Sequence, residues 1–198
     1  MKNIKEQIEF DIFLEGELIN LVCLTEELIE NTNWYNWFND SESMRSMQKH
    51  YFPNTKKQQL QYFQNNIEGN INKLQLGIVH KKDNFLIGII SLNDIDYINK
   101  NAEIAGFIGE IKYHNFKYFI EANKIIIQHG FENLNLNKIY GGTLVKEIAI
   151  FYYRTLGFKN EGTRTNFAYK NGKYHDTYLI GLLKDEYHQL TKTKNTSS

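Results

Sequence analysis

The spacing of apolar residues divides the chain into a mixed series of strands and helices. "IEFDIFLEGELINLVCLT" reads as two short strands about the turn at Glu15-Gly16. Thr25 is placed to cap one helix over "EELIENTNWYNWF", with a short turn opening at Asp40 and Ser41. Thr55 caps "KKQQLQYFQNNI", where Leu60, Phe63 and Ile67 share a face. "LQLGIVH" and "FLIGIISL" form a hairpin about "KDN", and "AEIAGFIG" is a further strand whose small Ala105 and Gly106 point to a bulge. A helix over "YFIEANKIIIQHGFENL" and a strand at "NKIYGGTL" follow. Next comes a helix over "KEIAIFYYRTL", closed by Gly157 in the left-handed cap position. The last apolar alternation is a long hairpin with Asn171-Gly172 as its tight turn. Such an order specifies a mixed α/β chain about one central sheet.

With 198 residues, 41% of them hydrophobic and 14% aromatic, the chain suits one compact domain over residues 1–190, with a polar tail over 191–198. Basic and acidic residues number 23 each, so net charge gives no case for nucleic acid or an anionic membrane. No long apolar window predicts a membrane span, and "MKNIKEQIEF" lacks the apolar segment of a secretory signal. The lone Cys23 lies in an apolar run, which predicts a core position rather than a nucleophile, and a cytoplasmic protein is expected. No Cys, His and carboxylate cluster has metal-ligand spacing, so no metal is expected. His80 and His129, within a strand and a helix, are expected to be structural.

The segments "AEIAGFIG", "IEANKIIIQHGFENLNLNKI", "AIFYYRTLGFKNEG" and "KNGKYHD" closely resemble GNAT-type N-acyltransferases, in the branch of ribosomal-protein and amino-sugar acetyltransferases. The similarity runs over roughly residues 8 to 187, and Ala149 to Phe158 fit the family pattern Ala-x-x-x-Tyr-x-x-x-Gly-Phe without a gap. The resemblance implies a single mixed, mostly antiparallel twisted sheet, splayed at its centre and flanked by helices. Acyl-CoA, either acetyl-CoA or a short hydroxyacyl-CoA, would lie in the gap as co-substrate. Backbone groups of Phe107, Ile108 and Gly109 would hold the pantetheine arm and polarise the thioester carbonyl. The pyrophosphate would meet a helix N-terminus.

At that loop the chain departs from the family. Aligned back from Glu121-Ala122, the Arg/Gln-x-x-Gly-x-Gly/Ala pattern places His114 first, Lys117 at the glycine and Phe119 at the last small residue. One residue is also inserted before it. No residue from His114 to Phe119 (with Asn115, Phe116 and Tyr118 between) is proline, so all six N–H donors are retained, and Lys112, His114 and Lys117 can supply charge. Lys146 is a second departure, standing where the family often has Asn, and can reach a CoA phosphate.

Direct transfer from thioester to amine needs a proton source for the thiolate and, in some cases, a base. The resemblance puts Tyr153 at the proton source, with Glu103 as candidate base; Asp94, at the end of the preceding strand, and the His175-Asp176 pair are further candidates. Trp34 and Trp37 share a helical face suited to stacking on a sugar or nucleobase, with Asn39 beside them, and Arg45, Lys49, His50 and Tyr51 follow to meet a diphosphate. These features favour the amino group of a nucleotide-linked deoxyamino sugar as acceptor. The N-terminus of a ribosomal protein is the same-class rival, and a non-catalytic protein keeping the fold is the other. A homodimer is left open.

Overall fold

The computed structural model describes residues 8–44, 47 and 52–195. Eight strands form one sheet in the order β1-β2-β3-β4-β5-β6-β8-β7: β1 Ile12–Glu15, β2 Ile19–Cys23, β3 Leu74–His80, β4 Phe85–Asp96, β5 Asn101–Ile108, β6 Lys138–Thr143, β7 Lys159–Lys170 and β8 Lys173–Leu183. All neighbours are antiparallel except β5 and β6. That parallel contact spans only Asn101–Glu103 against Lys138–Tyr140, after which the strands part. The sheet therefore opens in a V at its centre, and the free edge of β5 runs on to Ile108.

Two cores face the two sides of the sheet. Helices α1 (Glu26–Asn31), α2 (Trp34–Trp37) and α3 (Lys56–Asn66) cover one side, burying Trp34, Trp37, Phe63, Leu86 and Phe107. Helices α4 (Phe116–Glu132), α5 (Lys146–Phe151) and α6 (Lys184–Asn195) lie on the other, over Ile104, Ile126, Phe131, Ile139 and Ile180. Alternation along β5 puts Glu103 and Phe107 on the first side and Ala102, Ile104 and Ile108 on the second.

Several expectations change. The helix expected over residues 26–38 breaks in two because Thr32 is extended, its hydroxyl donating to the Leu28 carbonyl and accepting from the Trp34 N–H. There is no bulge at Ala105-Gly106; pairing to β4 is continuous from Glu103 to Ile108, and Gly106 is small because a Cβ would meet the Ile89 carbonyl at 2.9 Å. The irregularity lies instead between Asn93 and Asp96, where Asp94 takes φ +50°. Helix α6 runs to Asn195, into the stretch expected to be a tail. Cys23 is exposed rather than in the core, and burial plus nearby Asp11 push its thiol pKa up, away from thiolate chemistry. The Asn171-Gly172 turn forms as expected, with φ +51° and +80°.

Candidate active site

Where β5 and β6 part, a cleft of about 430 Å³ opens. Its inner wall is β5 from Glu103 to Ile108, and its outer wall is Gly142 to Val145 with the start of α5. Phe116, Phe119, Phe151 and Tyr152 supply an aromatic side; Phe116 and Phe151 pack at 5.4 Å, and Phe116 remains 65% exposed at the rim. Glu42, Ser43 and Met47 close the other end. A smaller cleft of about 240 Å³, lined by Glu103, Tyr140, Gly142, Arg164 and Thr177 among others, shares Glu103 and Gly142 with the first.

The loop between β5 and α4 uses most of its own hydrogen-bonding capacity. His114 N–H donates to Ile111, Asn115 N–H to Tyr113 and Tyr118 N–H to the Asn115 carbonyl. The Asn115 side chain caps α4 by accepting from Lys117 N–H at 3.0 Å. All six N–H groups expected to face a pyrophosphate are present, but four of them are occupied inside the loop. The His114 ring is also engaged, its Nε2 lying 2.9 Å from the Ile108 carbonyl. Lys112 and Lys117 stand over the rings of Tyr113 and Tyr118, at 5.2 and 4.8 Å, and neither lines the cleft. His114, Asn115, Phe116 and Phe119 do line it.

Gly109 is fixed by packing, since a Cβ there would overlap the Trp37 indole. The Gly109 carbonyl accepts from Ser43 Oγ at 3.0 Å, and Trp37 Nε1 donates to Glu110 at 2.9 Å. The same hydroxyl lies 2.7 Å from Asp40 Oδ2, so its single proton is shared between the two acceptors, while Ser43 N–H also donates to that carboxylate at 3.0 Å; these contacts hold the Asp40 carboxyl below its ordinary value. The turn at residues 41–44 is thereby tied to the end of β5.

The Ala149–Phe158 segment begins as α5 and widens into a π-turn over Tyr152–Leu156, closed by Gly157 at φ +80°. Tyr152, rather than Tyr153, lines the larger cleft, but its hydroxyl points inward and donates to Asn123 Oδ1 at 2.8 Å. Asn123, fully buried, donates in turn to the Phe119 carbonyl at 2.8 Å. The Tyr153 hydroxyl lies 3.4 Å from the Leu179 carbonyl, on a residue that lines the smaller cleft. Burial pushes the pKa of both phenols up, and more strongly for Tyr152. Glu103 stands at the apex of the V, in register with Tyr140, and lines both clefts.

Other expected site residues are placed elsewhere. Trp34 and Trp37 are buried, packing edge-on to Phe63 and Phe107, so neither offers a face to a sugar. Their shared face is real but turns to the core. The Asn39 amide is paired in both directions with the Asn54 backbone, at 2.7 Å each way, and holds two loop segments together. His175 Nε2 lies 3.1 Å from the Lys170 carbonyl, while Asp176 accepts from Asn166 N–H. These neighbours face opposite sides of β8, so they do not form the expected pair. Asp94 and Lys146 are exposed and line neither cleft. Arg45, Lys49, His50 and Tyr51 lie outside the described residues. Arg164, which the sequence reading passed over, lines the smaller cleft; only pairing in the sheet reveals it. Among the described residues no group of three or more His, Cys, Asp or Glu could hold a metal, and no helix is long and apolar enough to cross a membrane.

Residues 20–159 match the family described as "Acetyltransferase (GNAT) domain". A Bacillus subtilis protein named "Putative ribosomal N-acetyltransferase YdaF" is 30% identical over 59% of this chain and 63% of its own length. The spermidine N(1)-acetyltransferase of Vibrio cholerae is 32% identical over 56% of this chain and 64% of its own. The matched stretch thus spans just under two thirds of either relative. Among solved structures, the spermidine N-acetyltransferase of Vibrio cholerae in complex with CoA and spermine superposes with a TM-score of 0.76 at 22% identity, over 87% of this chain and 99% of that one. That similarity shows a shared fold.

Proposed function

Since this chain belongs to the GNAT acetyltransferase family, we propose that it transfers a short acyl group, acetyl first, from acyl-CoA to a primary amine of a small molecule by direct attack. The observation that carries this reading is the V between β5 and β6, with Glu103 at its apex and, along one wall, a β5 edge that β6 no longer pairs. That edge supports a pantetheine arm, whose amides can pair with strand backbone as an added strand would. The aromatic side of the cleft suits the apolar parts of the arm. At the diphosphate end the self-bonded loop offers fewer donors than the sequence promises, so the cofactor is held mainly by the strand edge and the aromatic wall.

Glu103 takes a proton from the substrate ammonium, directly or through water, and so frees the neutral amine to attack; its position where the two clefts meet supports this role. Tyr153 is the proton donor to the leaving thiolate. Its raised pKa keeps the phenol protonated at neutral pH, and its weak 3.4 Å contact to Leu179 leaves the proton transferable. Tyr152 is the poorer donor because its proton is committed to buried Asn123.

The names of these relatives give no support to a nucleotide-linked amino sugar as acceptor, and the tryptophans meant to stack on it are buried. A polyamine is the second reading, favoured by the carboxylates of Glu42, Glu103 and Glu147 around the larger cleft. The test is thiol release from acetyl- and hydroxyacyl-CoA with amines, amino sugars and peptides, alongside calorimetry with acetyl-CoA. Acetyl-CoA binding with turnover on a small amine is expected; absence of binding overturns the reading.

A further inference from the structure

Apart from Glu103, the residues lining the smaller cleft have no part in the acyl-transfer chemistry described above. It lies on the side of the sheet away from α4 and α5, and every strand from β5 to β7 contributes to it. Sheet register puts Glu103 beside Tyr140, Gly142 beside Leu179, and Thr177 beside Arg164. All six line the cleft, whose volume is about 240 Å³. Gly142 has no side chain and is exposed, so the floor between the two ends is open.

The charges at the two ends differ. Glu103, with Asp94 nearby, raises the pKa of the Tyr140 phenol after burial has done so, and Arg164 opposes that rise. Negative charge from the β5 side and positive charge from β7 therefore both act on one phenol. Among the described residues Arg164 forms no ion pair; its guanidinium lies 4.9 Å from the centre of the Phe167 ring. Stacking of this kind orients the plane of the guanidinium while leaving its N–H edge for a ligand. Phe167 is itself 53% exposed, so it serves as a platform at the surface, not as core.

We propose that the acceptor carries an anionic group, carboxylate or phosphate, which Arg164 receives while the amine lies at the Glu103 end. This rests on the acyltransferase reading and narrows its acceptor. Strands β6 and β8 separate the two residues, so their backbones are roughly 14 Å apart across the sheet. The acceptor accordingly has its amine and its anion several bonds apart. A polycation is disfavoured, because one of its charges would face the guanidinium.

Two matched pairs of amines test this: glucosamine 6-phosphate against glucosamine, and glycylglycine against its amide, with spermidine as the cationic arm. The expected result is a kcat/KM at least about tenfold higher for the phosphate or the carboxylate member of a pair. The phosphate and carboxylate arms distinguish the two sources. In Arg164→Ala that advantage collapses, KM for acetyl-CoA stays within about twofold, and Arg164→Lys restores part of it through charge alone. Arg164 is exposed, so both variants should fold, which equal thermal midpoints would establish. Spermidine preferred over both anionic amines, or equal losses for charged and neutral members in Arg164→Ala, overturns the proposal while leaving acyl transfer intact. No turnover on any amine despite acetyl-CoA binding removes the acyltransferase reading and this proposal with it.

Discussion

The two walls of the central cleft lead into helices in different ways. On one side β5 runs through Gly109 and a short 3-10 turn to α4, which Asn115 caps with its own side chain. On the other, β6 passes through Thr143 to α5, where Val145 provides no side-chain cap and the helix soon widens into the π-turn. The first wall lacks the family's glycines and satisfies most of its donors internally; the second departs at Lys146 but keeps the Ala149–Phe158 pattern, with its distinctive geometry in the turn that carries Tyr152 and Tyr153. A residue pattern can therefore announce where a loop lies without announcing what its N–H groups are free to bind, since nearby backbone carbonyls and one Asn side chain can occupy them.

The sharpest test of the second wall is Tyr153→Phe, which should lower kcat by roughly a hundredfold, the usual scale for a general acid, while leaving acetyl-CoA affinity unchanged. A loss of only a few-fold in steady-state kinetics removes Tyr153 from the acid role. On the first wall, Gly109→Ala forces a methyl into the Trp37 indole and should cost about 1–3 kcal/mol, as overpacking does. Each kcal/mol should appear as about 2–4 °C in the melting midpoint of a chain this size, and an unchanged midpoint would show that the Trp37 contact is not fixed.

Tyr152→Phe leaves Asn123 Oδ1 buried without a donor, with an expected cost of about 1–3 kcal/mol. Turnover should nonetheless stay within a few-fold; a loss as large as that of Tyr153→Phe would transfer the acid role to Tyr152. Asn115→Ala should cost about 1 kcal/mol of stability through the lost cap. It also frees the Lys117 N–H, so acetyl-CoA affinity by calorimetry should hold or improve; a tenfold weakening would mean that the Asn115 side chain itself contacts the cofactor. The smallest signal is in the pH profile. The acid must keep its proton, and burial raises the Tyr153 pKa above its ordinary value near 10, so kcat/KM should rise as the amine deprotonates. No descending limb from Tyr153 should appear below about pH 10.

Most of the strand and helix order was legible because the buried faces follow simple periods. Phe63 and Ile126 sit on buried helical faces, and Asn171-Gly172 marks a two-residue turn closed by the Lys170–Lys173 pair. The break at Thr32 was hidden, because a threonine hydroxyl that bonds backward and forward looks like any other mid-helix residue. The tryptophans were misassigned for a related reason. Spacing of three places two side chains on one face, but it carries no information about whether that face meets solvent or a sheet.

The site divides in the same way. Glu103, the β5 edge and the Ala149–Phe158 segment could be named because each lies in a short run that resembles the family's pattern. Local periodicity and turn chemistry by themselves determined the elements, their sequence and the glycine-closed helix. Only the tertiary structure decided that β5 and β6 part after three paired residues, that Tyr152 turns inward to Asn123, and that Arg164 shares a cleft with Glu103. The shared cleft depends on successive strand pairings, β5 to β6 to β8 to β7, that bring together residues as much as 61 positions apart in the chain, Glu103 and Arg164. Register across a sheet is set by the sum of its packing, and no short stretch of sequence contains that sum.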